Sequence, residues 1–164
     1  MQPLKDKNIL VIGATGGIGS RTAKLLAGSG AKLFLTGRNA EKLQAVAVSC
    51  NVSSDRCFAL DCSQAGSVND LKERYFQQFS SIDILINAAG IGIIKAMNTL
   101  DETEFLHTLN ANLVAPFLLM KTVVLEKQAF FNEINSLACY DAGMVGKKLM
   151  RENQGYSSHT VLFP

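Results

Sequence analysis

Short apolar runs alternate with amphipathic stretches along the first half of the chain. Ile9-Leu10-Val11-Ile12, Leu33-Phe34-Leu35, Cys57-Phe58-Ala59-Leu60 and Ile82-Asp83-Ile84-Leu85-Ile86 are the apolar runs. A strand buried on both faces reads as such a run, whereas a half-exposed one alternates. The spacing therefore predicts strands over 8–12, 32–36, 57–60 and 82–86. Between them lie stretches of helical period. The first covers 18–28, with Ala23, Leu25, Leu26 and Ala27 as its packing face and Ser29-Gly30 closing it. The second covers 40–49 and is capped by Asn39. The third covers 67–79, with Val68, Leu71, Tyr75, Phe76 and Phe79 on one face. Strands alternating with helices imply a parallel sheet covered on both sides. Right-handed crossovers make it doubly wound: an α/β fold in three α/β/α layers, with about five strands.

Beyond Gly90 the pattern is looser. Residues 91–98 read as a glycine-containing loop. Thr99 and Glu102 are spaced as a capping box. A long helical region runs on to about Val124, with a break expected near Asn110 to Pro116. Residues 129–135 are the expected fifth strand and 144–152 a further helix, in an atypical tail over 126–164. No linker or repeat divides the chain, so one domain over 1–164 is expected.

Composition changes this picture little. Of 164 residues, 48% are hydrophobic and 18% charged, with a formal net charge of +2. No basic run or basic-aromatic face suggests nucleic acid. The most apolar later stretch, 113–120, is too short for a bilayer and contains Pro116. The start leads directly into the first strand with no signal peptide, so a cytoplasmic location is expected. Cys50, Cys57, Cys62 and Cys139 have no zinc spacing and read as buried free thiols. No metal site is expected.

The chemistry concentrates at the carboxyl ends of the strands, where doubly wound sheets bind ligands. Gly13-Ala14-Thr15-Gly16-Gly17-Ile18-Gly19 joins the first strand to the first helix. In that context glycines permit a tight turn and a close approach of a pyrophosphate, held by the helix's free N–H groups. At the end of the second strand stands Thr36-Gly37-Arg38, with no carboxylate. An acid there accepts from a ribose 2′-OH, whereas an arginine accommodates a 2′-phosphate. This corner favours NADPH over NADH. The plain alternative is that Arg38 caps a surface turn. Asp61-Cys62 follows the third strand, and Asp61 with Ser63 also fits an ordinary Asx turn. Asn87-Ala88-Ala89-Gly90 ends the fourth strand, and Asn87 is equally suited to bonding the neighbouring backbone.

In combination these segments resemble the short-chain dehydrogenase/reductase family over residues 5–125. The glycine loop is similar to the family's G-x-x-x-G-x-G and also satisfies G-x-x-G-x-x-G, with Ile12 where the family usually has Thr. Asp61 matches the family's adenine-contacting acid. Asn87-Ala88-Ala89-Gly90 resembles N-N-A-G with one change, and Asn112-Leu113 resembles the Asn motif of the long helix. The resemblance implies a Rossmann-like domain and an NADP(H)-dependent oxidoreductase. Its members move a hydride between nicotinamide and a small carbonyl or alcohol substrate, commonly as homo-oligomers. It also implies cofactor contacts from Gly13, Thr15, Gly16, Gly17, Ile18, Gly19, Arg38, Asp61, Cys62, Asn87, Ala88, Ala89 and Gly90.

For catalysis the resemblance implies Asn112 in a proton relay, Ser136 orienting the substrate oxygen, and Tyr156 as acid or base. Ser136 is also an ordinary strand-end serine. Tyr156 is followed four residues on by Thr160, where the family has lysine, and it lies 20 residues after Ser136. Tyr140 is followed four residues on by Met144, and Tyr75 lies in an early helix. Without a nearby cation a tyrosine stays protonated to about pH 10. His107, expected on an exposed helix face, and His159 are alternative proton shuttles. The family's further strands and substrate loop have no counterpart before Pro164. A dinucleotide-binding module without turnover is therefore the competing reading.

Overall fold

A computed structural model describes residues 4–64 and 66–124. Four strands lie parallel in the order β3-β2-β1-β4: β1 is Asn8–Ile12, β2 Lys32–Gly37, β3 Cys57–Ala59 and β4 Ile84–Asn87. In register, Leu10 stands between Phe34 and Leu85, and Ile12 beside Asn87. The strand order reverses at β1, so the ends of β1 and β4 flank a crevice.

Strand alternation divides the core in two. Leu10, Ile12 and Phe34 point to one face, where α3 (Ser67–Gln78) and the long helical region cover them through Leu71, Tyr75 and Leu119. Ile9, Val11, Leu33 and Leu35 point to the other, under α1 (Gly17–Gly28) and α2 (Ala40–Ser49), with Ala23, Leu26, Leu43 and Ala47. Phe34 is fully buried, and its ring centroid lies 5.4 Å from that of Tyr75. The Tyr75 hydroxyl donates to the Ser81 carbonyl at 3.0 Å, so this buried phenol is satisfied. The three α/β/α layers are those expected.

Local signals account for the helix ends. Asn39 Oδ1 accepts from the Lys42 N–H at 2.8 Å and caps α2. At the end of α1, Gly30 adopts φ 78°, its N–H bonds Ala27, and the Ala31 N–H bonds Leu26. That is a Schellman closure, which favours glycine at the left-handed position.

Several expectations shift. Leu25 is 75% exposed, so α1 packs through Ala23 and Leu26 instead. β4 begins at Ile84, one residue after Asp83, whose N–H bonds the Asn8 carbonyl at 2.8 Å while its carboxylate accepts from the Asn8 N–H at 2.8 Å and pairs with Lys7 at 3.1 Å. The capping box is Asp101 with Glu104, opening α4 (Glu102–Leu109), while Thr99 closes a 3₁₀ turn onto Ala96. The long helix does not break. It widens to π turns at Asn110–Val114 and Met120–Val124, on either side of α5 (Ala115–Leu119). Pro116 has no N–H for the Asn112 carbonyl, and a wider turn accommodates that loss within helical backbone angles. Of the cysteines, Cys50 is buried, but Cys57 and Cys62 are only half-buried. The expected fifth strand, the 144–152 helix, Cys139, Ser136, Tyr156 and His159 lie outside the described residues.

The core sets the scale of stability. Phe34→Ala is expected to cost ~3–5 kcal/mol, and Asn39→Ala ~1 kcal/mol. Urea denaturation of both variants checks the ranking.

Candidate functional site

The crevice is built from strand ends and the loops that follow them. It is open to solvent along its length. Its floor is the turn after β1. Gly13 has φ 76°, and a Cβ there would lie 2.5 Å from the Ala89 nitrogen and 2.7 Å from the Ala88 carbonyl carbon. Only glycine meets both the left-handed backbone and that contact. A Cβ on Gly19 would lie 2.2 Å from the Gly13 carbonyl oxygen. The first turn of α1 thus rests directly on the end of β1. Gly17 is different: nothing lies within 4 Å of its Cβ position.

This helix start is left open. No side chain caps α1, and its first turn holds no acidic residue. The N–H groups of Gly17, Ile18 and Gly19 have no partner within the helix, as at any helix N-terminus. Gly16, Gly17 and Ile18 are exposed while Gly19 is buried. The combination of uncapped donors, a positive dipole end and unfilled space suits an anion.

Farther along the crevice lie Arg38, Asp61 and His107. Arg38 is exposed, one residue beyond β2. The turn reading of Asp61 is realised: Oδ1 accepts from the Ser63 N–H at 2.9 Å and from its hydroxyl at 2.7 Å. Both bonds fall on one oxygen, which leaves Oδ2 without a hydrogen-bond partner among the described residues. Partial burial pushes this carboxyl up, but the Ser63 bonds and the charges of Arg38 and His107 outweigh it. The carboxyl therefore titrates below its ordinary range. Burial, aided by the Asp61 charge, pushes the Cys62 thiol up to about 11, so it stays a neutral thiol.

At the other end, the Asn87 side chain accepts from the Ala89 N–H at 3.1 Å, and the Ala88 N–H bonds the Ile12 carbonyl at 2.9 Å. Asn87 shapes the turn without lining the crevice. Ala88, Ala89, Gly90 and Ile91 form the wall. Asn112 reaches across from the first π turn and clamps that wall. Its Oδ1 accepts from the Ile91 N–H at 2.9 Å, and its Nδ2 donates to the Ile91 carbonyl at 2.7 Å. Its side chain is thus committed to the backbone. Its own carbonyl faces the position where Pro116 supplies no donor.

The crevice is therefore lined by Gly13, Thr15, Gly16, Arg38, Asp61, Cys62, Ala88, Ala89 and Gly90 among the residues expected there. Gly17, Ile18 and Gly19 form the helix start beside it. Ala111, which sequence reasoning missed, also lines it, as do Thr36, noted only as part of the corner after the second strand, and His107, weighed only as a proton shuttle. Thr36 is 1% exposed, and its hydroxyl has no partner among the described residues. A threonine at a strand's carboxyl end was the available signal. Thr15 was predicted but not its packing: its side chain fills the space where a Cβ on Gly37 would lie, 2.7 Å from Thr15 Cγ2. Tyr75 is confined to the core, where burial pushes its hydroxyl up and removes it from any role as a base. Among the described residues no cluster of His, Cys, Asp and Glu is placed to hold a metal, and no helix is long and apolar enough to cross a membrane.

Comparison with known proteins places this arrangement. The family described as short chain dehydrogenase matches residues 7–131. The chain belongs to the short-chain dehydrogenase family. It is 42% identical over 90 residues to an uncharacterized oxidoreductase of Staphylococcus aureus (strain USA300), covering 55% of this chain and 39% of that protein. A second uncharacterized oxidoreductase, from Staphylococcus saprophyticus, is 36% identical over 91 residues, covering 56% and 37%. The match thus spans about two fifths of the curated relatives' length. Among solved structures, a putative short chain dehydrogenase from Escherichia coli CFT073 superposes with a TM-score of 0.69 at 30% identity, covering 76% of this chain and 58% of that one. One from Pseudomonas syringae gives 0.70 at 28% identity, covering 76% and 54%. The family is one of oxidoreductases that use NAD(P).

Two outcomes follow from the packing. Gly19→Ala should destabilise the fold by about 1–3 kcal/mol, whereas Gly17→Ala should leave it unchanged or raise it by up to ~1 kcal/mol; thermal unfolding separates them. The Asp61 contribution to stability is fully present above about pH 4 and is lost as pH falls through its depressed folded-state pKa. Ser63→Ala should therefore move the Asp61 titration upward, as read by carboxyl NMR.

Proposed function

We propose that the crevice binds NADP(H) and that the chain carries the dinucleotide half of a short-chain dehydrogenase acting on a small carbonyl or alcohol. The observation that carries this is the uncapped start of α1 beside Gly13, facing a crevice that ends at Arg38 and Asp61. The fit is chemical. Open N–H donors suit a pyrophosphate. The unfilled Cβ position of Gly17 leaves room for it. The free oxygen of Asp61 suits an amine donor such as the adenine 6-amino group.

When bound, the nicotinamide supplies the hydride. The chain's own residues bind and orient. Arg38 offers a planar, permanently charged donor set to a 2′-phosphate, and no carboxylate stands at the end of β2 to repel it. Asn112 fixes Gly90 and Ile91 through the Ile91 backbone. Ser136 orienting the substrate oxygen and Tyr156 as acid or base are expectations of the same reading. So are cytoplasmic location and self-association.

The test is direct. NADPH should bind the chain more tightly than NADH in a fluorescence titration. Arg38→Ala should weaken NADPH by ~10-fold or more and change NADH by less than about twofold. Equal affinity for both cofactors would sink the NADP assignment. Loss of reduced-nicotinamide absorbance with a panel of ketones and aldehydes tests turnover, and binding without oxidation would favour the module.

A further inference from the structure

Gly37 closes β2 and is buried, yet its backbone does not call for glycine. The left-handed glycines among the described residues are Gly13, Gly30 and Gly66. What Gly37 lacks is space. A Cβ there would lie 2.7 Å from Thr15 Cγ2, 2.8 Å from Thr15 Oγ1 and 3.3 Å from Thr15 Cβ. Carbon atoms pack at about 3.5–4.0 Å, so the threonine side chain already fills the position. Its own backbone is held in place. The Gly16 N–H bonds the Gly13 carbonyl at 3.0 Å and closes the turn that carries Thr15, and the Ala14 N–H bonds the Thr36 carbonyl at 2.8 Å. A β-branched side chain is also stiff about χ1. From the other side, the Leu60 N–H bonds the Gly37 carbonyl at 3.1 Å. The end of β2 is thus gripped between the loops that follow β1 and β3.

This corner is where such sheets choose between dinucleotides. An acid at the end of β2 accepts from a ribose 2′-OH, and its charge repels a 2′-phosphate. Thr15, Gly37 and Arg38 all line the crevice. We propose that Thr15 is a specificity-determining residue: by filling the space beside Gly37 it keeps that position without a side chain, which bars the acid that would select the unphosphorylated dinucleotide. This rests on the reading of the crevice as an NADP(H) site. Selectivity then has an attractive part and an excluding part, carried by different loops. Arg38, exposed one residue beyond the strand, attracts the 2′-phosphate. Thr15, on the glycine loop, keeps the competing carboxylate out. The two positions form a matched pair, so a side chain at 37 requires a smaller residue at 15. Thr15→Ala removes Cγ2 and Oγ1 and leaves only the 3.3 Å contact, which a slight shift relieves.

Fluorescence titrations with NADPH and NADH test this in the full chain, with substitutions at 37 made in the wild-type and Thr15→Ala backgrounds. Gly37→Ala adds only the clashing Cβ. It should weaken both cofactors ~10-fold in the wild-type background and less than about threefold beside Thr15→Ala. Gly37→Asp in the wild-type background should weaken NADPH without gaining NADH. Beside Thr15→Ala it should gain NADH and raise the NADH-to-NADPH affinity ratio on the order of 100-fold. That ratio is a readout that a merely structural contact would leave unmoved. Thermal unfolding covers the case in which Gly37→Ala fails to fold: rescue by Thr15→Ala supports the pair, and absence of rescue overturns it. Wild-type affinities in Gly37→Ala, or an equal gain of NADH by Gly37→Asp in both backgrounds, would overturn the proposal and leave the site reading intact. Binding of neither cofactor by the wild-type chain would overturn the reading beneath it.

Discussion

The site depends on one close contact. At Gly13 the end of β1, the start of α1 and the turn after β4 meet at distances that exclude any side chain. Ala88 and Ala89 press on Gly13 from one side, and Gly19 sits on its carbonyl from the other. The helix dipole, the open N–H donors and the wall of the crevice therefore hold fixed positions relative to one another. A binding cradle made from backbone needs such positioning, since it has few side chains to adjust.

The two-faced core supports that contact. Leu10 and Ile12 are held by α3 and α5, and Ile9 and Val11 by α1 and α2. β1 is thus buried from both sides and ends in a rigid position. The exposed, polar residues of the crevice lie just beyond that end, on loops whose ends the sheet holds in place. Burial and function are separated by a single peptide at Ile12-Gly13.

Much of this was legible in sequence because it rests on local rules. Asn39 as a cap, Gly30 as a closing glycine and the Val68, Leu71, Tyr75, Phe79 face of α3 each follow from residue type and spacing. The glycine loop, Arg38 and Asp61 were legible because strand ends are where a doubly wound sheet gathers its ligand groups. What was missed needed long-range contacts. Nothing nearby in sequence shows that the Asp83 carboxylate is engaged by Asn8 and Lys7. Nothing local distinguishes Asp101 from Thr99 as the cap, since both have an acid three residues on. The spacing of Asn112 revealed its importance but not its partner, because Ile91 lies 21 residues away. His107 is exposed as expected, but that it also lines the crevice was hidden because the loops beside it come from distant strands.

The bond pair between Asn112 and Ile91 has a mechanical consequence. It fastens the crevice wall to a π turn, where the helix is wound with more residues per turn and a larger radius. A π turn can tighten to α geometry by changing the helix's phase, which would rotate Asn112 about the helix axis. Through two hydrogen bonds to one residue, such a rotation becomes a displacement of the wall.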